Sequence, residues 1–496
     1  MEGRGFSDRV EAFLAMTNSS SWVVDVERII KEGKEQFVQP KSWSSQYIYK
    51  VPEWFQKLNK SGAYKPQVVS LGPLHHNDKF LQMRMKEHKW RAVVVLVSRS
   101  GKPLGDFIAA ASAVAEKLEE AYGHDLSDEW KGESNRERFV EMMVMDGCFM
   151  LELLAIQDDC DKPNPFHSGY DMHDPIFSRR SMWPVIRSDM LALENQLPLL
   201  LLQKLMSVQE SKTTPEGIAE VDKIINRRVL KFLRAPLHQD AASSNEKRKE
   251  LLERVMDNMK LGHHPLQLYH KSLIYSVPQT YRAYKVGGRL SEYQKDIMPS
   301  AVEMHGAGIK FRTSTTNSLI DVHFRATKLR WNRVLTMPQV TVDDSTEYLF
   351  LNLMAFERLH CRVNTHVTAY VIFMDNLIES PIDVAMLCSK GVLKNMLGSN
   401  QQLAHLFNGT LAKGALMEKY SEVDESKEAQ SYTSTTVQAR VKNHCKIVGY
   451  KWRAILARRY FGNPWTLISL VAAVILLVAT LVQTFYTVAP YYKPRD

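Results

Sequence analysis

Apolar residues fall into three patterns along this chain, and each pattern predicts a different element. In RERFVEMMVMDGCFMLELLAI, residues 136–156, they recur every three to four positions, so Phe139, Met143, Asp146, Met150 and Leu153 or Leu154 share successive turns of a core helix. The same spacing predicts helices from Phe80 onward, through GDFIAAASAVAEKLEEAYG to a break at Gly123, and through YVIFMDNLIES and PIDVAMLCSKGVL. SDMLALENQLPLLLLQKLM, Ser188 to Met206, reads as a long apolar helix capped by its serine and interrupted at Pro198. The second pattern is alternation. Ile320, Val322 and Phe324 stand against Asp321, His323 and Arg325, and the habit returns at Val340 and Val342, which predicts a small antiparallel β unit. DDST, 343–346, then caps a helix starting near Glu347.

The third pattern is an unbroken run. Trp465 to Val488, WTLISLVAAVILLVATLVQTFYTV, lies in a stretch without charge between Arg459 and Lys493. At about 1.5 Å per helical residue it is long enough to cross a hydrocarbon core of about 30 Å. Tyr460, Phe461 and Trp465 precede it, and Phe485, Tyr486, Tyr491 and Tyr492 close it, where interfacial rings belong. The polar members Thr466, Ser469, Thr480, Gln483 and Thr484 can bond back to the helix's own carbonyls.

These patterns predict a mainly α (α+β) chain, a large helical domain with a small antiparallel β unit and one C-terminal transmembrane helix. Residues 1–46 form a polar leader with an amphipathic helix over Val23 to Phe37, and residues 47–418 the domain, expected as two packed subdomains with a variable region at 207–260. A polar linker and basic juxtamembrane segment (419–464), the span (465–488) and a short tail (489–496) follow.

Charge refines this picture. The chain carries +9, but from residue 429 onward nine Lys or Arg face one acid, so residues 1–428 hold only +1. Basicity concentrated before an apolar run indicates a membrane flank rather than a nucleic-acid surface. Lys451, Arg453, Arg458 and Arg459 are the expected contacts to anionic lipid. The positive-inside bias, with a leader lacking any signal-peptide run, places the domain in the cytosol. Five cysteines without CxxC spacing read as reduced thiols. Asn18, Asn59 and Asn408 stand in glycosylation sequons, which matter only on a lumenal face.

Candidate chemistry is sparse. Asp146 inside an apolar helix must be paired or hydrogen-bonded. Glu194, Asn195 and Gln196 form a polar insertion able to satisfy one another and the carbonyls freed by Pro198, and His75 and His76 lie in a Gly-Pro turn. Those six residues are the candidate polar cluster. His167, Asp171, His173 and Asp174 read as a solvated loop, the Met-rich stretch 142–150 as core, and His263, His264 and His270 as lacking acid partners at metal spacing. No nucleophile elbow, phosphate loop, dinucleotide fingerprint or HExxH occurs, and no metal or cofactor is expected.

VPEWFQKLN, AYKPQVVSLGPLHH, FVEMMVMDGCFMLELL, DMLALENQLPLLLLQKL, HGAGIKF, MPQVTVDDSTEYLFLNLMAFE and YFGNPWTLISLVAAVILLVATLVQTFY together resemble the plant family called domain of unknown function 247, from about Ile48 through the apolar run. Met337 stands where the pattern commonly has Ile, and Leu351 where a basic residue usually precedes Asn352. The resemblance implies a membrane-anchored plant protein without an established activity, in a family with some grass members that determine pollen and stigma self-incompatibility. It supplies no catalytic residue. The expectation is a membrane-tethered recognition or signalling protein with an unknown protein partner, possible self-association through the anchor and no nucleic acid. The alternative is a membrane-bound hydrolase or transferase using the polar cluster, or a growth- or stress-related membrane protein.

Overall fold

A computed structural model describes residues 45–59, 62–159, 169–233, 259–275, most of 298–326, 333–360, 363–415, part of 437–445 and 464–492. The leader helix at 23–37, His167, much of the segment 419–464 and its basic residues Lys451, Arg453, Arg458 and Arg459 lie outside the described residues.

The first half is helical. It comprises α1 (Glu53–Asn59), α2 (Lys79–Ser100), α3 (Leu104–Ser112), α4 (Ala115–Tyr122), α5 (Arg136–Asp159), α6 (Trp183–Leu191), α7 (Leu199–Gln209), α8 (Pro215–Leu233) and α9 (Pro265–Leu273). Asp78 caps α2 by accepting from Phe80 N at 3.0 Å and Leu81 N at 3.4 Å, and Gly101, at φ 66°, ends it in the left-handed conformation. α5 is the axis of this half: α2, α3, α7 and α8 all pack on it, and nearly every side chain from Phe139 to Leu154 is buried. The Met-rich stretch is core, as its spacing predicts. Gly147 allows the close approach of α7, since a Cβ there would lie 2.5 Å from Leu205 Cδ1.

The second half continues with α10 (Ala301–Gly306), β1 (Ile309–Thr313), β2 (His323–Ala326), β3 (Arg333–Met337), β4 (Val340–Val342), α11 (Thr346–Leu359), α12 (His366–Leu377), α13 (Pro381–Ser389), β5 (Leu393–Asn395), α14 (Asn400–His405), a π-helical turn over Leu406–Leu411, and α15 (Ala412–Ala415). β2 pairs antiparallel with β3, but β1 lies parallel to the other edge of β3, and β4 pairs parallel with β5. The β unit is therefore mixed rather than antiparallel. Alternation fixes which side chains face inward and carries no information on strand direction.

One other expectation changes. The helix expected from Ser188 begins at Trp183, with Pro184 in its first turn, and ends at Leu191; Ser188 Oγ donates to Pro184 O at 3.3 Å and caps nothing. Within residues 207–260 lies α8, whose Val221, Ile225, Val229 and Leu233 are buried against α5, α7 and α9. Among the described residues, the buried apolar side chains form one contiguous cluster running from Ile48 to Cys445. Met337 and Leu351, the two departures from the family pattern, are both buried in it.

The apolar run forms α16 (Pro464–Tyr492). Thr480, Thr484 and Thr487 return their hydroxyls to the carbonyls of Leu476, Thr480 and Gln483, each at 2.8 Å. Its side chains are described without a break from Ala472 to Val488 and all are exposed. Among the described residues, no helix is long and apolar enough to cross a membrane.

Candidate functional site

Three of the six candidate residues, Asp146, Glu194 and Asn195, bond to one irregular segment, residues 63–76, which joins no sheet and itself carries His75 and His76. Such a segment has backbone groups that no helix or ladder satisfies, and burying them unpaired costs about 1–3 kcal/mol each. Side chains from α2, α5, α6 and the turn between α6 and α7 supply the partners.

Asp146, on α5, accepts from Gly72 N at 2.8 Å and forms a buried ion pair with Lys89 of α2. Lys89 Nζ donates in turn to Ser70 O at 2.6 Å. Asp189, at the end of α6, accepts from Gln67 N at 2.7 Å and from Val68 N and Val69 N, each at 2.8 Å. Burial pushes its carboxyl up to about 6, against the opposing pull of those three N–H groups. Asn195 uses both ends of its amide, accepting from Leu71 N at 2.6 Å and donating to Val69 O and Asp189 O at 2.9 Å. Gly72, at φ 74°, makes the turn that brings its N–H to Asp146, and a Cβ there would meet Tyr122 Oη at 2.5 Å.

Glu194 and Gln196 extend the network. Glu194 accepts from Val51 N at 2.8 Å and Gln56 Nε2 at 3.1 Å, and its second oxygen is 2.9 Å from His75 Nε2. Gln196 donates to Met190 O at 2.8 Å and Ala192 O at 2.6 Å, while its oxygen takes Leu266 N and faces His264 Nδ1, each at 2.9 Å. Tyr122 Oη donates to the Gln196 carbonyl at 2.9 Å. His76 points elsewhere, its ring edge-to-face with Trp130 at 5.1 Å, and burial lowers its proton affinity. The insertion thus satisfies distant backbone, not chiefly its own members, as its sequence proximity suggests.

Sequence reasoning missed several members. Lys89 lies on the buried face of α2 between Met85 and Val93, a legible anomaly, whereas Asp189 gives no local signal. Asn352 of α11 ties the turn to the second half, accepting from Leu193 N and donating to Ala63 O, each at 2.7 Å. His270 meets one acid, Glu357, with Nε2 at 2.6 Å from Oε1, supplied from 87 residues away. One expectation is corrected. Asp174 is buried, accepting from Ile176 N at 2.8 Å and Phe177 N at 2.9 Å and lying 3.1 Å from Arg91 Nη1. Asp171 and His173 remain exposed.

Chemically, this arrangement holds a chain segment. Asp146, Asp189, Glu194 and Glu357 are each buried and accept from backbone N–H groups, so their lone pairs are engaged in the fold. Cys148 of α5 is buried, and burial, with Glu152 nearby, pushes its thiol up to about 12, away from a nucleophilic thiolate. Among the described residues, no group of three or more His, Cys, Asp or Glu could hold a metal ion.

A family model described as a plant protein of unknown function, DUF247, matches residues 48–479. The chain is similar to UPF0481 protein At3g47200 of Arabidopsis thaliana, 28% identical over 465 residues that cover 90% of this chain and 87% of that one. It is also similar to putative UPF0481 protein At3g02645 of the same plant, 25% identical over 191 residues, 38% of this chain and 32% of that one. No solved structure matches.

Proposed function

Because the chain belongs to the plant DUF247 family, we propose that it is a membrane-tethered recognition protein, anchored by α16 and acting through contacts of its helical domain with another protein. The observation that carries this reading is the charge-free, 29-residue α16, whose described side chains are exposed and predominantly apolar. A helix of that composition has no stable place in water unless lipid or protein covers it. The clasp around residues 63–76 weighs in the same direction. A hydrolase using Asp146 or Glu194 needs a carboxylate free to meet substrate, and both are buried on backbone N–H groups and cationic or imidazole partners. Self-incompatibility recognition, which the family resemblance implies for some grass members, is one form this function takes.

The charge asymmetry around α16 supports a cytosolic domain and an outward tail. Protease protection of the membrane-inserted full chain, together with the glycosylation state of Asn408, tests anchor and orientation at once. Asn408 is exposed in the π-helical turn, where a glycosylating enzyme could meet it in a lumen. The expected result is a cleaved domain, a protected α16 and no glycan. Extraction of the whole chain by carbonate overturns the anchor, and a glycan at Asn408 overturns the orientation.

A further inference from the structure

α2 presents two faces of opposite character. Leu81, Met85, Lys89, Ala92, Val93 and Leu96 are buried against the domain. On the other side, Phe80 is 61% exposed, Met83 87%, Trp90 46% and Val94 58%, values that large apolar side chains reach when nothing described covers them. Their spacing is that of a heptad seam. Phe80, Glu87 and Val94 occupy successive a positions, and Met83, Trp90 and the half-buried Val97 the d positions. At 100° per residue, the exposed apolar side chains span only about 80° of the helix surface, the width of a coiled-coil contact and narrower than a face that lies in a bilayer interface.

The flanks of the seam share one sign. Its e positions are Arg84 and Arg91, its exposed g positions Lys79 and Lys86. Residues at e and g set partner choice in coiled coils through charge across the interface. A second copy of α2 would bring basic rows against basic rows, so this seam disfavours its own pairing. Glu87, the polar residue at the central a position, is ion-paired to Arg91 within the helix. A polar a residue of this kind fixes register at some cost in stability.

We propose that the outer seam of α2 docks an amphipathic helix of a partner protein bearing apolar residues at a and d, Glu or Asp at e and g, and one basic or amide side chain opposite Glu87. This names the chemistry of the partner that the recognition reading requires, and it rests on that reading for its biological meaning only. The seam itself is independent of α16 and of the orientation of the chain.

The probe is a labelled synthetic helix about as long as α2, with Leu at a and d, Glu at e and g, and one Lys facing Glu87. Its charge-reversed twin carries Lys at e and g. Fluorescence anisotropy is read with the full chain in neutral phosphatidylcholine nanodiscs. The acidic helix should bind and the basic one should not. Trp90→Ala should weaken the acidic helix by about tenfold or more, and the triple charge reversal K79E/R84E/K86E, which leaves the Arg91–Asp174 pair intact, should transfer preference to the basic helix. Because these positions are exposed, an unchanged unfolding transition of each variant shows that the fold is retained. Equal binding of both helices, binding of neither, or charge reversal without a change of preference overturns the proposal. So does a Trp90 emission shift on adding phosphatidylserine to the nanodiscs without any acidic-helix binding, which assigns the seam to lipid. Repeating the anisotropy with the full chain in mild detergent keeps the helix-binding outcomes readable if the protease-protection test fails, since none of them then involves α16.

Discussion

Removing the two halves of the Lys89–Asp146 pair one at a time should cost more, summed, than removing both together. Asp146→Ala leaves the Lys89 ammonium buried without its counter-ion, about 3–5 kcal/mol, and strips Gly72 N–H of its acceptor, about 1–3 kcal/mol more. That total approaches the whole of a domain stability of about 5–15 kcal/mol. Lys89→Met leaves a bare carboxylate and orphans Ser70 O, with a penalty of the same order. The double variant Lys89→Met, Asp146→Leu removes both charges and retains only the two orphaned backbone groups, about 2–6 kcal/mol. The singles should therefore sum to more than the double by at least about 2 kcal/mol. Urea unfolding of the full chain in mild detergent, followed by tryptophan fluorescence, supplies the cycle, with the shift in midpoint as readout. A cycle additive within about 0.5 kcal/mol, or a Lys89→Met variant as stable as the parent, would show that this pair is not the uncompensated-charge problem described.

Two further outcomes follow from charge. The Asp189 carboxyl is raised from 3.8 to about 6 in the fold, so the stability contributed by its protonated form is fully present below 3.8 and lost as pH rises through about 6. Asp189→Asn should lower stability overall and flatten its slope across that window; an unchanged slope in a pH series of denaturation midpoints would count against the assignment. Replacing Lys451, Arg453, Arg458 and Arg459 by Gln should weaken attachment to anionic liposomes by roughly 1 kcal/mol per residue that sits at the surface, and equal flotation of variant and parent would refute a lipid contact there.

What the sequence made legible was local. Helical spacing located α5 and the need for a partner at Asp146, and alternation located the inward side chains of β2. Partners that come from far away left no mark. Glu357 reaches His270 across 87 residues and Asp189 reaches Gln67 across 122, separations at which no periodicity operates. The parallel pairing of β4 with β5 is of the same kind, since three helices, α11 to α13, intervene. Glu194, Asn195 and Gln196 were visible as a polar interruption in an apolar stretch, but their targets were not, because the turn aims each side chain at a different segment.

The clasp also sets a timetable for synthesis. Leu71 leaves the ribosome 124 residues before Asn195, the side chain that holds its amide. At about 5–20 residues per second, that is an interval of roughly 6–25 s. For nearly all of it, the N–H groups of Gln67, Val68, Val69 and Leu71 have only water or a chaperone to bond. The amino-terminal third of the domain is thus a client waiting for its own middle, and chains arrested before the α6–α7 turn emerge without the means to close.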